Sequence, residues 1–327
     1  MPGFEKEGDF MTHRERFIKT LKCEPIGGQV PTFELVFFLT MEAFGKVHPS
    51  HRAYYQWKQM SRSEQTLHMN EMAQLYVDTA KKYGHSAIFI HPNPGDFEST
   101  QWLLELIREK SGNEYYIMMH GDPTWAIPDG ASMFDFSDQM YEEPEKLNEQ
   151  SQQRMENMLE FARKLDSRGH LLDGFTLCSD YCFNVNPFFS PDKFEELIVP
   201  YLKGVIDGYR EMGYYTIKHT DGNIMPIISS LVEAGPHALH SIDPMAGVDI
   251  REVKRLYGDK VALCGNVHCA ALQTGTDEEV IASAEYCLKY GGEGGGYIFA
   301  TSNIPFKGMP PHRYEMILDI WKKHRKY

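Results

Sequence analysis

Apolar residues along this chain form short, nearly continuous runs rather than strictly alternating ones. Runs of this kind are typical of parallel strands whose two faces are both covered. Segments with the periodicity of amphipathic helices separate the runs, so the pattern indicates repeated strand–helix units. Eight segments qualify as strands: residues 30–36, 87–90, 115–119, 174–177, 215–218, 238–242, 260–263 and 297–300.

About eight such units in 327 residues favour a single-domain α/β fold, a closed (β/α)8 TIM barrel. A doubly wound open sheet is the second interpretation, but the first strand is not followed by a glycine-rich dinucleotide fingerprint. We expect a flexible N-terminal tail at residues 1–10 and one barrel domain at residues 11–327. The longest irregular connection is predicted at residues 121–148, as part of the active-site rim or of a subunit contact.

Polar residues at fixed spacings mark where several helices begin. The Thr-x-x-Glu pattern at residues 12–15 and 276–279 is that of a capping box. Ser190-Pro191 opens a further helix, which the apolar periodicity extends to Gly213.

Composition and charge exclude several classes of function. The net charge of −13 argues against nucleic acid and anionic membranes as partners, and makes a highly anionic substrate harder to explain. No apolar run approaches the roughly 20 residues of a membrane span, and the polar N-terminus lacks a secretory signal. The six cysteines show no disulfide framework, so we expect a cytoplasmic protein with reduced thiols.

The segment 214–231, YYTIKHTDGNIMPIISSL, carries the clearest functional signal. A short buried strand there delivers His219 and Asp221 to its carboxyl end, directly ahead of a helix. Active sites of α/β barrels are built at such strand ends. The same reading of all eight strands gives a rim rich in carboxylates and imidazoles, which suits metal binding or acid–base chemistry. The rim residues are Glu34, His91, Asn93, His120, Asp122, Ser179, Asp180, Tyr181, His219, Asp221, Asp243, Asn266, His268, Thr301, Ser302 and Asn303.

Structural roles remain open for these residues. In that alternative, Asp221 is only the N-cap of the helix that it precedes, and His219 is a hydrogen-bonded core histidine. Asp180 and Tyr181 would simply close a turn. Glu34 is harder to explain in this way, because a lone carboxylate within an apolar strand is costly unless it is paired or ligated.

Four stretches of the chain resemble the uroporphyrinogen decarboxylase superfamily, which also contains corrinoid-dependent methyltransferases. They are MTHRERF at residues 11–17, Ser190-Pro191 with Pro200-Tyr201, His219-x-Asp-Gly, and YGDKVALCGN at 257–266 with the LQTGT that follows. The likeness extends over residues 11–322. It implies a (β/α)8 barrel and an enzyme, in agreement with the pattern described above.

The resemblance leaves two branches of the superfamily to compare. Decarboxylases carry an arginine-rich segment after the first strand, whereas residues 33–42 of this chain read FELVFFLTME; only Arg52 and Arg62 could reach in from the first loop. An octa-anionic porphyrinogen needs guanidinium or comparable donors. Thiol-directed methyltransferases hold zinc through a His-x-Cys pair and a later cysteine. His219 matches that histidine, but Asp221 replaces the first cysteine and no cysteine follows strand eight.

Oxygen ligands in place of thiolates make a harder metal site. The resemblance therefore implies a metal-assisted methyltransferase that moves a methyl group between a small methylated substrate and a corrinoid protein. In that hypothesis His219, Asp221 and Glu34 hold Zn2+ with an open position, Asp180 and Tyr181 polarise or protonate the reacting group, and the substrate pocket is lined by His91, Asn266 and Asn303.

Partners and alternatives follow from the same comparison. A corrinoid-bearing protein would dock over the barrel mouth near residues 121–148, and the resemblance leaves a homodimer open. The alternatives are metal-free decarboxylation of the uroporphyrinogen type, with Asp180 and Tyr181 stabilising a protonated intermediate, and a catalytically silent barrel that acts as a binding protein.

Overall fold

The computed structural model describes residues 11–324 and 326, so the predicted tail at residues 1–10 lies outside the described part. Within that part, seven parallel strands form one curled sheet in which neighbours along the chain are also neighbours in space. The strands are β1 (Ala87–Ile90), β2 (Tyr116–His120), β3 (Gly174–Leu177), β4 (Tyr215–Thr220), β5 (Ala238–Ser241), β6 (Ala262–Val267) and β7 (Tyr297–Thr301).

Helices precede, connect and follow the strands, and most of them cover the outer face of the sheet. They are α1 (His13–Leu21), α2 (Thr40–Phe44), α3 (Arg62–Tyr83), α4 (Phe97–Ser111), α5 (Met133–Glu142), α6 (Pro144–Asp166), α7 (Pro191–Leu197), α8 (Val199–Glu211), α9 (Ile228–Glu233), α10 (Ile250–Tyr257), α11 (Cys269–Thr274), α12 (Asp277–Tyr286) and α13 (Pro311–His324). Short 3₁₀ turns lie at Pro49–His51, Trp57–Gln59 and Pro244–Ala246, and a π-helical turn at Cys287–Gly291 follows α12. Among these helices, none is long and apolar enough to cross a membrane.

The α/β architecture agrees with the sequence prediction, but a count of eight strands is not confirmed. Residues 30–36 do not form a regular strand. Phe299 N donates to Pro31 O (2.9 Å) and Phe33 N to Phe299 O (3.3 Å), while Ser86 N donates to Thr32 O (2.6 Å) just ahead of β1. The segment therefore links the two edges of the sheet through a few hydrogen bonds. Pro31 lacks an N–H donor, which limits regular pairing there.

Two other predictions of local structure need correction. Residues 121–148 are not a long irregular connection, because they contain α5 and the start of α6. The helix predicted from Ser190 to Gly213 is two helices, α7 and α8, which meet at Ile198 just ahead of Pro200. The predicted helix starts are confirmed: Thr12, Ser190 and Thr276 each accept a hydrogen bond from the backbone N–H three residues later.

The apolar core has two layers. The larger layer lies between the sheet and the surrounding helices, and a smaller one fills the inside of the curled sheet. Phe17 of α1 belongs to the inner layer and packs on Phe33 and Tyr116, with ring centroids 5.5 and 4.7 Å away. Arg14 of the same helix pairs with the buried Asp173 at 2.7 Å. Helix α1 thus lies against the inner layer and leaves the carboxyl ends of the strands for the site.

Candidate active site

Strand β4 carries the central histidine of the site. Ile217 lies in the inner apolar layer, so His219, two residues later, points to the same side of the sheet because strand side chains alternate. His219 is 5% exposed. The strand ends at Thr220, and Asp221 follows where the chain leaves the sheet.

Gly222 makes the turn that positions Asp221. Its φ is +84°, and a Cβ placed on it would lie 2.4 Å from the carbonyl oxygen of Cys182. The close approach brings the loop after β4 against the loop after β3. There Asp221 N donates to Asp180 Oδ1 (2.9 Å), and Asn223 N donates to Phe183 O (2.9 Å). The need for a left-handed residue without a side chain explains the His-x-Asp-Gly sequence.

Among the described residues, Asp180, His219 and Asp221 form a cluster of side chains that could hold a metal ion. One ligand atom from each lies within 4.8 Å of the others. His219 Nε2 is 3.9 Å from Asp180 Oδ1 and 3.8 Å from Asp221 Oδ1, and the side chains of Asp180 and Asp221 are 45% and 28% exposed. The imidazole therefore forms the buried wall of the cluster, and the carboxylates open toward solvent.

A residue of β5 and a residue just after β7 orient the Asp221 carboxylate. Ser241 Oγ of β5 donates to Asp221 Oδ1 (2.6 Å), and Asn303 Nδ2, after β7, donates to Asp221 Oδ2. Burial raises the pKa of Asp221, and the nearby carboxylates of Asp180 and Asp243 act in the same direction, against an opposing effect of His219 and Ser241. Negative charge is therefore concentrated at this point.

A second histidine lies directly behind the first. His219 Nδ1 and His240 Nδ1 are 2.9 Å apart, and His240 of β5 is 1% exposed. Burial, with a smaller contribution from His219, holds the pKa of His240 well below its ordinary value, so its ring is neutral. The pair therefore shares one hydrogen bond between two ring nitrogens.

A buried ion pair lies beneath the site. Lys218 Nζ is 2.8 Å from Asp122 Oδ2, and neither side chain is exposed. The Lys218 ammonium also donates to Ser179 O (2.8 Å) and lies 4.0 Å from the centre of the Tyr181 ring. Tyr181 is fully buried, and its hydroxyl contacts Thr124 Oγ1 (2.6 Å). The structure therefore places Tyr181 in the support of the site rather than at its opening.

Glu34 is not part of the Asp180–His219–Asp221 cluster. Its carboxyl is fully buried and bonds to the Thr301 hydroxyl and backbone N–H and to the side chain of Tyr314. Burial raises the pKa of Glu34 from its ordinary 4.5 to about 8, against those hydrogen bonds. Asp180 thus occupies the place in the ligand cluster that the sequence prediction gave to Glu34.

The three predicted substrate-binding residues lie in different surroundings. Asn303 joins the cluster through Asp221. The His91 ring packs on Phe89 at 4.7 Å, and burial lowers the pKa of His91 to about 4. Asn266 bonds to Ile242 O (2.7 Å) and Cys287 Sγ (3.2 Å) and lines a cavity of about 710 Å³ that none of the three cluster residues lines.

Sequence reasoning missed His240 and Ser241, although a signal for both exists. The chain reads KHTD at the end of β4 and HSID at the end of β5. The strands are parallel neighbours with His219 opposite His240 and Thr220 opposite Ser241. Adjacent parallel strands present opposed residues on the same face, so the repeated histidine predicts the contact once the register is known.

The donor set fits a divalent cation. His219 Nε2 lies 3.9 and 3.8 Å from the carboxylate oxygens of Asp180 and Asp221. These separations are slightly wider than those between ligand atoms around a tetrahedral or octahedral ion. The nearby ammonium of Lys218 is engaged by Asp122 and so does not neutralise Asp180 or Asp221. Metals bound by this mixture of nitrogen and oxygen are harder than those bound by thiolates.

A family model matches a large part of the chain. The uroporphyrinogen decarboxylase (URO-D) family matches residues 131–324, more than half of the chain. The chain therefore belongs to the uroporphyrinogen decarboxylase family. No curated protein sequence matches the chain.

Solved structures support the fold. A methyltransferase from Methanosarcina mazei superposes with a TM-score of 0.71 at 18% identity, covering 96% of this chain and 99% of the other. A putative vitamin-B12 independent methionine synthase from Listeria monocytogenes has a TM-score of 0.51 at 12% identity, covering 90% and 96%. At these identities the likeness concerns the fold, which is TIM-barrel-like.

Proposed function

We propose that this protein is a metal-assisted methyltransferase that moves a methyl group between a small methylated substrate and a corrinoid carried on a partner protein. The convergence of Asp180, His219 and Asp221 is the observation that carries the proposal. A zinc ion bound there would act as a Lewis acid on a substrate oxygen. An oxygen-rich ligand set suits an ether, alcohol or carboxylate better than a thiol.

The chain's own residues supply the positioning. Ser241 and Asn303 fix both oxygens of Asp221, and the Asp221 N–H fixes Asp180. Asp180 is the most exposed of the three ligands, so it faces the incoming substrate and can accept or return a proton at the heteroatom that loses the methyl group. A corrinoid in the Co(I) state would supply the electron pair that takes up the methyl group, while the electron pair of the broken carbon–heteroatom bond would stay on the heteroatom and take up a proton from water through Asp180.

Exposed apolar side chains around the strand ends support docking of a protein partner. Phe134 and Tyr141 are 81% and 65% exposed in the region 121–148, Val185 after β3 is 77% exposed, and Met245 after β5 is 54% exposed. Apolar groups grouped on one face of a protein commonly mark an interaction site. A corrinoid protein seated there would bring its cobalt over the candidate site.

Decarboxylation of a porphyrinogen is the second candidate, favoured by the family match over residues 131–324. The two arginines that the sequence analysis allowed to reach the site from the first loop are engaged by other residues. Arg52 bonds to Glu71 at 2.9 Å, and the Arg62 guanidinium stacks 3.6 Å from the centre of the Trp102 ring. Since an octa-anionic substrate needs such donors, the geometry favours methyl transfer.

Metal analysis of protein purified without chelator tests the proposal. We expect about one zinc per chain in the wild type, and none in His219→Ala or Asp221→Ala. Glu34→Gln is the matched control, since it alters a buried carboxyl outside the cluster and should retain the metal. Loss of metal in Glu34→Gln as well as in His219→Ala and Asp221→Ala would restore the ligand set predicted from sequence.

Activity then separates the candidate functions. Loaded protein is mixed with cob(I)alamin and a panel of methyl ethers and methyl esters, and methylcobalamin is followed by visible absorption. A metal-free wild type that releases carbon dioxide from uroporphyrinogen would establish decarboxylation instead. Ligand binding without turnover in both assays would indicate a silent barrel.

A further inference from the structure

We propose that His240 is a positioning residue that holds the His219 ring with its Nε2 toward Asp180 and Asp221. This inference rests on the proposed metal site. The observation is the 2.9 Å contact between His219 Nδ1 and His240 Nδ1. Ligating histidines are usually oriented by a carboxylate or a carbonyl at the second ring nitrogen, and here the imidazole of His240 occupies that place.

The contact fixes how the two rings share protons. Two nitrogens at this distance form a hydrogen bond only if one of them carries the proton and the other accepts it. A metal ligand must offer the lone pair of Nε2, and a neutral His219 then carries its proton on Nδ1. His240 Nδ1 is therefore the acceptor in the loaded protein, which places the proton of the His240 ring on Nε2.

The surroundings of His240 hold it in this role. Its ring is fully buried, and its Nε2 has no hydrogen-bond partner among the described residues, so no second contact competes for the orientation of the ring. The Phe33 ring lies 5.6 Å away at an angle of 66°. Phe33 belongs to the segment that links the edges of the sheet, so the packing of His240 depends on that link.

Two substitutions separate the hydrogen bond from the packing. His240→Asn keeps a polar group at the position of Nδ1, whereas His240→Leu keeps an apolar group of similar bulk and removes the bond. Zinc affinity is measured at one fixed pH by competition with a chelating dye. We expect His240→Leu to bind zinc about 10–100 times more weakly than the wild type, and His240→Asn to regain most of that affinity.

Nitrogen-15 NMR of the histidine rings provides a readout that does not depend on activity. In the loaded wild type, we expect the proton of His219 on Nδ1 and that of His240 on Nε2. A His240 proton on Nδ1, or wild-type zinc affinity in a folded His240→Leu, would overturn the role of His240 while leaving the metal site intact. This measurement uses the wild type alone, so it also decides the matter if neither variant folds.

Failure of the proposed function gives a different result. If the wild type binds no zinc, the metal site itself is wrong, and the spectra of the metal-free protein then test the positioning role. A single His219 tautomer in the wild type and in His240→Asn, with a mixture in His240→Leu, would support orientation by His240. Identical tautomer populations in all three proteins would refute it.

Discussion

Replacement of Glu34 by glutamine should remove a pH dependence of folding stability that this one carboxyl creates. Burial raises the pKa of Glu34 to about 8 in the folded protein from an ordinary 4.5. The folded state therefore holds the Glu34 proton more tightly than the unfolded chain does. The contribution of Glu34 to the free energy of unfolding is consequently highest below pH 4.5, falls as the pH rises toward 8, and becomes level above that value.

The magnitude follows from the two pKa values. Each pKa unit corresponds to about 1.4 kcal/mol, so the interval from 4.5 to about 8 corresponds to about 5 kcal/mol of unfolding free energy. Glutamine has nearly the same shape, and it stays neutral throughout this range. The Thr301 and Tyr314 side chains that contact Glu34 can also bond to an amide oxygen.

Urea denaturation of both proteins between pH 4 and 9 measures the effect. The difference between wild type and Glu34→Gln isolates this residue, because every other titrating group is common to both proteins. We expect the wild type to lose stability relative to the variant by about 1.4 kcal/mol per pH unit between pH 5 and 8. Parallel curves would show that Glu34 is ionised in the folded protein, and would refute the account of its burial.

Two further substitutions test the support of the site. Asp122→Asn should lower the free energy of unfolding, measured by urea titration, by about 3–5 kcal/mol, because it leaves the Lys218 ammonium buried without its partner. Adding Lys218→Met should recover most of this loss. Equal losses in the single and double variants would contradict the prediction. Gly222→Ala should lower the free energy of unfolding by about 1–3 kcal/mol and weaken metal binding, because the added Cβ would lie 2.4 Å from Cys182 O. Gly247→Ala is the control, with a similar φ of +76° and open space around it, and a loss as large as that of Gly222→Ala would assign the effect to backbone strain alone.

The sequence predicted most of the fold because strands and helix starts are local features. Seven of the eight predicted strands are present, with ends shifted by a few residues. The segment at residues 30–36 misled the prediction, since its composition is that of a strand. Its pairing depends on contacts with Phe299 and Ser86, which are far away in the chain. Tertiary context overrides strand propensity in such cases.

The candidate site was predictable in part for the same reason. His219 and Asp221 lie within three residues of each other on β4 and its loop, so their pattern is visible in the sequence. Which third residue joins them depends on which strand neighbours β4. Because β3 pairs with β4, Asp180 lies beside them, whereas Glu34 lies against Thr301 of β7.

The distribution of charge explains why a cation suits this site better than an anionic substrate. The buried ammonium of Lys218 and the carboxylate of Asp122 neutralise each other, so the pair adds no net charge beneath the cluster. Burial raises the pKa of Asp221, and the carboxylates of Asp180 and Asp243 lie close enough to raise it further. The nearby His240 is held neutral, so it does not offset those carboxylates. An added divalent cation would reduce their mutual repulsion, while a carboxylated substrate would increase it.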